Sequence, residues 1–310
     1  MSLTTPVLLI GFNRPDRIKH TLQTLKHLGV VDLYVSLDGP RDSFDSALCE
    51  KVLNVVKSFK PYFRMKIIHR SYNLGCMLGV LSAIDWFFEN VDFGVIVEDD
   101  FVPKQDCFIY FENFKNRSDY YCQRNVLIAS SHNPFIALRK ESISQYTLIG
   151  CWATYADVWF KVRQNYFGFN FPKVKNNFQS RSYNEAIFWW ANSTRAKLGR
   201  VNTWDGIFFD QVWRLGIKTL VPLKNLSDHL GAGIEATHTK DPNWTNIVQL
   251  PKSILSNDFD FLMKEYYYKI KFYHLLTPFI RVLFDLLYFP NKKNFDKILI
   301  FDKNNRTTLS

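Results

Sequence analysis

Three adjacent carboxylates, Glu98, Asp99 and Asp100, are the residues whose types and spacing point most directly to chemistry in this sequence. They follow the apolar run 93–97, which is typical of a buried strand in a parallel sheet. Crowded carboxylates repel one another and lose hydration at a structured strand end. A divalent cation offsets both costs, and Mg²⁺ completes its shell with phosphate oxygens and water. The triplet therefore predicts a metal–diphosphate site for Mn²⁺ or Mg²⁺, with a solvated acidic turn as the alternative.

The elements that must position this triplet are read from the hydrophobic pattern of the first 131 residues. Apolar runs with short links alternate with segments of helical spacing, and Pro15 is well placed to open the first helix. This alternation predicts an α/β fold with a mostly parallel sheet flanked by helices. The predicted strands are 6–12, 33–37, 65–69, 93–97 and 126–129, and the predicted helices start at 15 and span 43–59, 77–88 and 106–114.

Polar residues also follow the other predicted strands, and ligands of such sheets bind at the carboxyl ends of the strands. These residues are Asn13 and Arg14 after the first strand, Asp38 after the second, and His69 and Arg70 after the third. Taken singly, each has a plain structural reading as a turn former, a surface charge or a strand-end histidine. Glycine-rich dinucleotide and P-loop motifs are absent from the sequence, so a phosphate site at this edge needs a metal.

The ordered set of these motifs resembles a GT-A-fold glycosyltransferase, over roughly residues 5–240. It is similar to the N-acetylglucosaminyltransferase I family and its bacterial relatives in surface-polysaccharide synthesis. The resemblance is carried by Phe12-Asn13-Arg14-Pro15, Leu37-Asp38-Gly39, His69 with Asn73-Leu74-Gly75, and the DxD-like Glu98-Asp99-Asp100. It implies that Arg14 and Asp38 hold the nucleotide, that His69 faces the base, and that Asp100, with Asp99 beside it, binds Mn²⁺. The remaining motif residues, Asn13, Asn73, Gly75 and Glu98, are assigned to donor binding.

A candidate general base lies in the stretch from Asn202 to Gln211. An inverting transfer needs a base that takes the proton of the acceptor hydroxyl, and a carboxylate beside an indole is partly desolvated, which favours its protonated form. The Trp-Asp motif of the family places this base at Asp205, with Asp210 as the second choice. Either residue has an alternative reading as a helix N-terminal acid favoured by the helix dipole. Gly206 stands where the animal enzymes carry a second acid.

Acceptor and lid residues are sought in the second half, which is rich in tryptophan. Trp152 and Trp204 offer aromatic faces that suit sugar rings, although a tryptophan is more often part of a core. The polar, glycine-containing stretch 225–239 holds His229 and His238 and resembles the corresponding loop of the bacterial relatives. We interpret this loop as a lid that closes over the diphosphate, with an ordinary surface loop as the alternative.

Three segments are predicted from these patterns. Residues 1–131 form the nucleotide-sugar-binding half, 132–250 the acceptor-binding and catalytic half of the same domain, and 251–310 a helical tail rich in basic and aromatic residues. Within the tail, the stretch 264–290 is too short and too charged to span a bilayer. It suits either peripheral contact with a membrane surface or packing on the domain. No signal peptide is recognisable, and five scattered cysteines fit a reducing compartment, so we expect a cytoplasmic protein.

A formal net charge of +10 favours polyanionic partners. The pattern as a whole predicts an inverting, metal-dependent glycosyltransferase that uses a UDP-sugar, with N-acetylglucosamine as the candidate sugar, and a glycan or lipid-linked saccharide acceptor. A sugar-1-phosphate nucleotidyltransferase is the second candidate, but it is expected to carry a glycine-rich basic loop after the first strand. A basic nucleic-acid-binding protein explains the charge but not an acidic rim, which would repel phosphates. We therefore expect no nucleic-acid partner.

Overall fold

The computed structural model of the chain describes residues 3–133, 141–164, 166–168 and 183–230, and of 183–188 only the backbone. Strands and helices alternate through the first part of the chain. They are β1 (Val7–Gly11), α1 (Pro15–His27), β2 (Asp32–Leu37), α2 (Ser43–Ser58), β3 (Arg64–His69), α3 (Gly75–Phe88), β4 (Phe93–Glu98), β5 (Phe101–Pro103), α4 (Gln105–Asn116), α5 (Ser118–Cys122) and β6 (Val126–Ser130). The later elements are β7 (Ser142–Ser144), β8 (Cys151–Tyr155), α6 (Ala156–Arg163), α7 (Tyr183–Lys197), α8 (Asp205–Arg214), β9 (Lys218–Val221) and β10 (Ser227–His229).

One eight-stranded sheet organises the described residues, in the order β3-β2-β1-β4-β8-β6-β9-β7. Strands β3, β2, β1 and β4 are mutually parallel, and β8 runs antiparallel between β4 and β6. A two-stranded ribbon of β5 and β10 forms beside it. The predicted α/β fold with a mostly parallel, helix-flanked sheet is confirmed. The insertion of β8 was not predicted, and it means that both sides of the proposed boundary at residue 131 contribute to one sheet.

Apolar side chains cover both faces of the sheet, which explains why its strands are continuous apolar runs in the sequence. In β1, Val7 and Leu9 belong to a core with α1, α2 and α4, while Leu8 belongs to a second core with α3, α6 and α8. Both faces are therefore closed by helices. An opening between these helices remains at the carboxyl edge, where β1 to β4 end in loops.

A buried ion pair ties α3 to α6 within the second core. Arg163 donates to both carboxylate oxygens of Asp85, at 2.8 and 2.9 Å, and the indole nitrogen of Trp159 donates to Asp85 Oδ1 at 2.8 Å. The Arg163 side chain is 3% exposed. This pairing holds the helix whose first turn borders the carboxyl edge of the sheet.

Within residues 3–133, 141–164, 166–168 and 183–230, no helix is long and apolar enough to cross a membrane. The predicted tail 251–310, including 264–290, lies outside the described residues, and so do the segment boundaries at 250 and 251.

We predict that Asp85→Ala lowers the free energy of unfolding by about 3–5 kcal/mol, because a buried guanidinium loses its bidentate partner. Urea denaturation followed by circular dichroism measures the change. The control is Glu89→Ala, which removes an exposed acid at the end of the same helix and should change stability by about 0.5 kcal/mol or less. Equal effects of the two substitutions would contradict the role given to this ion pair.

Candidate functional site

A cavity of about 640 Å³ lies at the carboxyl edge of the sheet, where β1, β2, β3 and β4 end. It brings together most of the polar residues singled out in the sequence, together with several that were not. Its polar lining consists of Asn13, Arg14, Ser36, Asp38, Arg41, Arg70, Asn73, Cys76, Glu98, Asp99, Asp100, Asn202 and His229, with Gly75 among the remaining residues.

The acidic triplet stands at the end of β4 in surroundings that disfavour its charges. Burial, followed by the charges of Asp100 and Asp205, raises the pKa of Glu98 well above its usual value. Burial also raises the pKa of Asp99 to about 6, although the Arg14 guanidinium acts in the opposite direction. Carboxylates held in this way bind a proton or a cation more readily than carboxylates in water.

Arg14 and His229 lie beside the triplet. Arg14 Nη1 lies 3.2 Å from Asp99 Oδ1, and the Arg14 and Asp99 side chains are 24% and 13% exposed. The β5–β10 ribbon brings His229 opposite Phe101 in register, and its Nε2 then lies 3.6 Å from Asp100 Oδ2. The imidazole packs on the Phe101 ring with centroids 4.6 Å apart. The segment that carries His229 is thus joined to the acidic triplet by strand pairing as well as by this side-chain contact.

The fit of a divalent cation follows from these carboxylates. No group of three or more His, Cys, Asp or Glu side chains suited to a metal ion occurs in the described part of the chain. A Mg²⁺-type ion needs only one or two protein carboxylates when substrate phosphates and water supply its other ligands. Asp99 and Asp100 offer hard oxygen donors at the cavity surface, in a cluster that is short of positive charge. These two carboxylates therefore fit a metal ion that arrives together with a phosphorylated ligand.

Asp38 holds together the loops that follow β2 and β3. Its Oδ1 accepts from the backbone N–H groups of Gly39 and Leu74, both at 2.9 Å. Its Oδ2 accepts from the Asn73 side-chain amide at 3.0 Å and from the Gly75 N–H at 3.1 Å. The loops touch through backbone, since a Cβ on Gly39 would lie 2.4 Å from backbone atoms of Tyr72. Gly75 has a φ of +82°, a conformation that favours glycine.

A buried carboxylate on α2 holds two of the cavity-lining residues, one in the loop after β1 and one in the loop after β2. Asp45 is 1% exposed, and it accepts from the Asn13 amide at 2.6 Å and from Arg41 Nε at 2.5 Å. The Arg41 hydrogen bond lowers the pKa of Asp45, so this acid stays ionised. Asn13 therefore lines the cavity as predicted but is oriented by Asp45, and Arg41 joins the site through the same acid.

The loop before α8 meets the donor side of the cavity through Asn202. Its Oδ1 accepts from the Met77 N–H in the first turn of α3 at 3.0 Å. Asp205 begins α8 and accepts from the Gly206 N–H at 2.7 Å and from the Thr203 hydroxyl. Its charge contributes to the raised pKa of Glu98, after burial and Asp100. Asp205, like Asp210, is not among the cavity-lining residues, but it is close enough to the acidic triplet for their charges to interact.

Asp210, the second choice for the base, has a different environment. It is 6% exposed, and Arg214 Nε and Lys197 Nζ lie 3.0 and 3.7 Å from its Oδ2. The Ser193 hydroxyl donates to the same oxygen at 3.2 Å. Asp210 is not part of the cavity lining, and its partners give it a structural role between α7 and α8.

Trp152 and Trp204 lie in the core rather than at the cavity surface. They are 0% and 2% exposed, their rings stack with centroids 6.2 Å apart, and both rings contact Phe208. Their faces are covered by protein, so we leave both out of the acceptor site. Trp204 still matters locally, because its carbonyl accepts from the Tyr166 hydroxyl just before Asp205.

His69 ends β3 with an exposed side chain and is not among the cavity-lining residues, whereas the next residue, Arg70, is. His238 lies outside the described residues. The sequence pattern placed Arg70 at this edge together with His69, and Arg70 lines the cavity. Sequence reasoning missed Arg41 and Asn202 as lining residues. Arg41 is held by Asp45, four residues further along the chain, and Asp45 is tied to Asn13 across elements. Asn202 is brought in by its contact with α3.

Comparisons with known proteins add little to this geometry. No family model matches the chain, and no curated protein matches it significantly. One matching structure is that of a protein assigned as a glucose-1-phosphate thymidylyltransferase from Bacillus anthracis, in complex with sucrose. It has a TM-score of 0.32 and 13% identity over 52% of this chain and 75% of that one. Another is a UDP-glucose pyrophosphorylase complexed with UDP-glucose, with a TM-score of 0.28 and 7% identity over 51% and 78%. Likenesses at these values carry no argument about activity.

The raised pKa of Asp99 predicts how the stability of the metal-free chain depends on pH. The folded chain keeps this proton up to about pH 6, whereas the unfolded chain releases it near the ordinary value of 3.8. The free energy of unfolding should therefore fall as the pH rises from about 4 to 6, by on the order of 2 kcal/mol from this residue.

Urea denaturation with a chelator at pH 4.5, 5.5 and 6.5 measures this slope, and Asp99→Asn is the matched variant. Wild type should lose stability relative to Asp99→Asn as the pH rises through this interval. A difference between the two proteins that stays constant with pH would contradict the strained state of the carboxylate.

Proposed function

We propose that the chain is a metal-dependent, inverting glycosyltransferase that uses a UDP-linked sugar and transfers it to a hydroxyl of a glycan or lipid-linked saccharide. The observation that carries the proposal is the joint lining of one cavity by the ends of four parallel strands, with a half-buried acidic triplet at one of them. Ligands of such sheets bind at this edge. Membership of the N-acetylglucosaminyltransferase I family is part of the same proposal and rests on the motifs alone.

The charges of the cavity support a diphosphate with a cation. Three guanidiniums, from Arg14, Arg41 and Arg70, face four carboxylates in the lining, from Asp38, Glu98, Asp99 and Asp100. A diphosphate placed beside Asp99 and Asp100 would be repelled by these carboxylates unless further positive charge came with it. Asp100, with Asp99 beside it, would hold Mn²⁺ or Mg²⁺, which when bound neutralises charge on the departing diphosphate. Arg14, paired with Asp99, would contact the phosphates directly.

Asp205 is the proposed general base. In the reaction, the acceptor hydroxyl gives its proton to the Asp205 carboxylate while its oxygen attacks the anomeric carbon of the donor sugar. The bond from that carbon to the diphosphate oxygen breaks, and its electron pair leaves with the nucleoside diphosphate from the opposite face. The configuration of the anomeric carbon is therefore inverted. Asn202, bonded to the first turn of α3, supports this role because it ties the loop of Asp205 to the donor side of the cavity.

The proposed setting of the enzyme is the cytoplasm, on the inner face of the cell membrane if the acceptor is lipid-linked. The tail 264–290 would make the peripheral contact, and His238 would act in the lid. A sugar-1-phosphate nucleotidyltransferase differs in its products, since it releases pyrophosphate from a nucleoside triphosphate. A glycosyltransferase instead releases UDP from a UDP-sugar, so an assay of both products separates the two classes.

We expect Asp205→Asn to lower kcat by about 10²- to 10⁴-fold while leaving the Kd for UDP-sugar within about threefold of wild type. The amide keeps the hydrogen bond from Gly206 but cannot take the proton. Asp157→Asn is the control, because Asp157 likewise accepts from the next N–H at the start of α6, at 2.8 Å, and is exposed. Normal transfer by Asp205→Asn, or loss of transfer only in Asp210→Asn, would refute the assignment of the base.

We expect Asp100→Ala to abolish Mn²⁺-dependent donor binding and to reduce transfer to the background level. Isothermal titration of UDP with and without an excess of MnCl₂ measures the binding. The release of UDP measures the reaction. The control is Asp228→Ala, since Asp228 lies on β10 next to His229 but is 61% exposed and pairs with Lys104. If Asp100→Ala binds UDP with an unchanged dependence on Mn²⁺, the metal site lies elsewhere.

A further inference from the structure

Asp38 has no accepting capacity left for a nucleotide. A carboxylate offers about four lone-pair positions, two on each oxygen. Gly39 and Leu74 occupy Oδ1, and Asn73 and Gly75 occupy Oδ2, at distances between 2.9 and 3.1 Å. A base that approached this residue with an N–H group would have to displace one of these bonds. The resemblance predicts that Asp38 contacts the nucleotide. The hydrogen bonds of Asp38 show instead a positioning residue, which holds two loops together.

Arg70, at the same end of the cavity, still has hydrogen-bonding capacity for a ligand. Its Nη1 donates to the Ser36 hydroxyl at 2.8 Å and its Nη2 to the Ser82 hydroxyl at 2.7 Å. The Ser82 hydroxyl is itself turned to the Gly79 carbonyl, at 3.2 Å, so it meets Arg70 as an acceptor. No carboxylate in the described part of the chain lies within ion-pair distance of this guanidinium. Arg70 is thus held in place by neutral groups, and further N–H donors remain among its five.

The position of Arg70 along the sheet suits the base of a nucleotide. Arg70 follows β3 and the acidic triplet follows β4, with β2 and β1 between them in the sheet. Three strand spacings correspond to about 14 Å. A nucleoside diphosphate of extended conformation has a comparable length, so a diphosphate near Asp99 and Asp100 leaves its base near Arg70. His69 does not compete for this position, because it is exposed and outside the cavity lining.

We propose that Arg70 is the residue that selects the base, by donating to a carbonyl oxygen of a uracil or thymine. This inference rests on the proposed function, since it takes a nucleotide donor in the cavity as given. A guanidinium only donates, so it pairs with a carbonyl oxygen and rejects an amino group at the same position. Adenine presents such an amino group. A fixed hydrogen bond from a charged donor discriminates between bases by about 10- to 100-fold.

The experiment compares UDP with ADP, which carry the same diphosphate and differ in the base. Isothermal titration of the full chain in MnCl₂ should give wild type a Kd for UDP at least tenfold lower than for ADP. In Arg70→Gln this preference should fall to about twofold or less, with the Kd for ADP changed less than threefold. Lys66→Gln is the control, because Lys66 is an exposed cation on β3, the strand that Arg70 follows. It should keep the wild-type preference.

A second variant, Ser82→Ala, tests the same inference if Arg70→Gln does not fold. Ser82→Ala keeps the guanidinium but removes one of its two anchors, and it should lower the preference for UDP by about threefold or more. Equal losses of UDP and ADP affinity in Arg70→Gln would show that Arg70 contacts the phosphates, and unchanged affinities for both nucleotides would show that it contacts neither group. Either result overturns the inference while the proposed function stands. Failure of wild type to bind any nucleotide would overturn both.

Discussion

The crowding of three adjacent, half-buried carboxylates at the end of β4 is the constraint on which the rest of the site depends. Helices close both apolar faces of the sheet, and the cavity is formed at its carboxyl edge. At that edge, burial raises the pKa values of Glu98 and Asp99. Arg14 lies beside the triplet and offsets only part of its charge. A cluster that remains short of positive charge in a cavity of this size is best explained by a cation that arrives with its ligand.

The two sides of the cavity are joined by a small number of polar contacts. Asp38 unites the loops after β2 and β3, and Asp45 fixes Asn13 and Arg41, so the donor side is preorganised by carboxylates that are already satisfied. Asn202 then ties the start of α8 to the first turn of α3. This arrangement brings the proposed base toward the acidic triplet without using the base itself as a structural contact between the two sides. Positioning and chemistry are thereby assigned to different side chains.

The first half of the fold was predictable because its signals are local. Apolar runs, short links and Pro15 predicted β1 to β4, β6, the start of α1 and the helices α2 to α4, with ends within two residues of those observed. The short elements β5 and α5 were not predicted. The shared edge of parallel strands then predicted that Asn13, Asp38 and the triplet would meet. The insertion of β8 could not be predicted in this way, because pairing of Val95 with Ala153 joins distant parts of the chain. The same reason hid the satisfied state of Asp38 and the core position of Trp152, both of which depend on contacts across elements.

The central claim is that a cation at the end of β4 holds the diphosphate of the donor. The most direct measurement is the anomalous scattering of manganese in crystals soaked with MnCl₂ and UDP. The account predicts a peak about 2.2 Å from a carboxylate oxygen of Asp100 or Asp99, with phosphate oxygens of UDP in the same coordination shell. A UDP molecule whose diphosphate lies away from these carboxylates, with no manganese peak beside them, would contradict it.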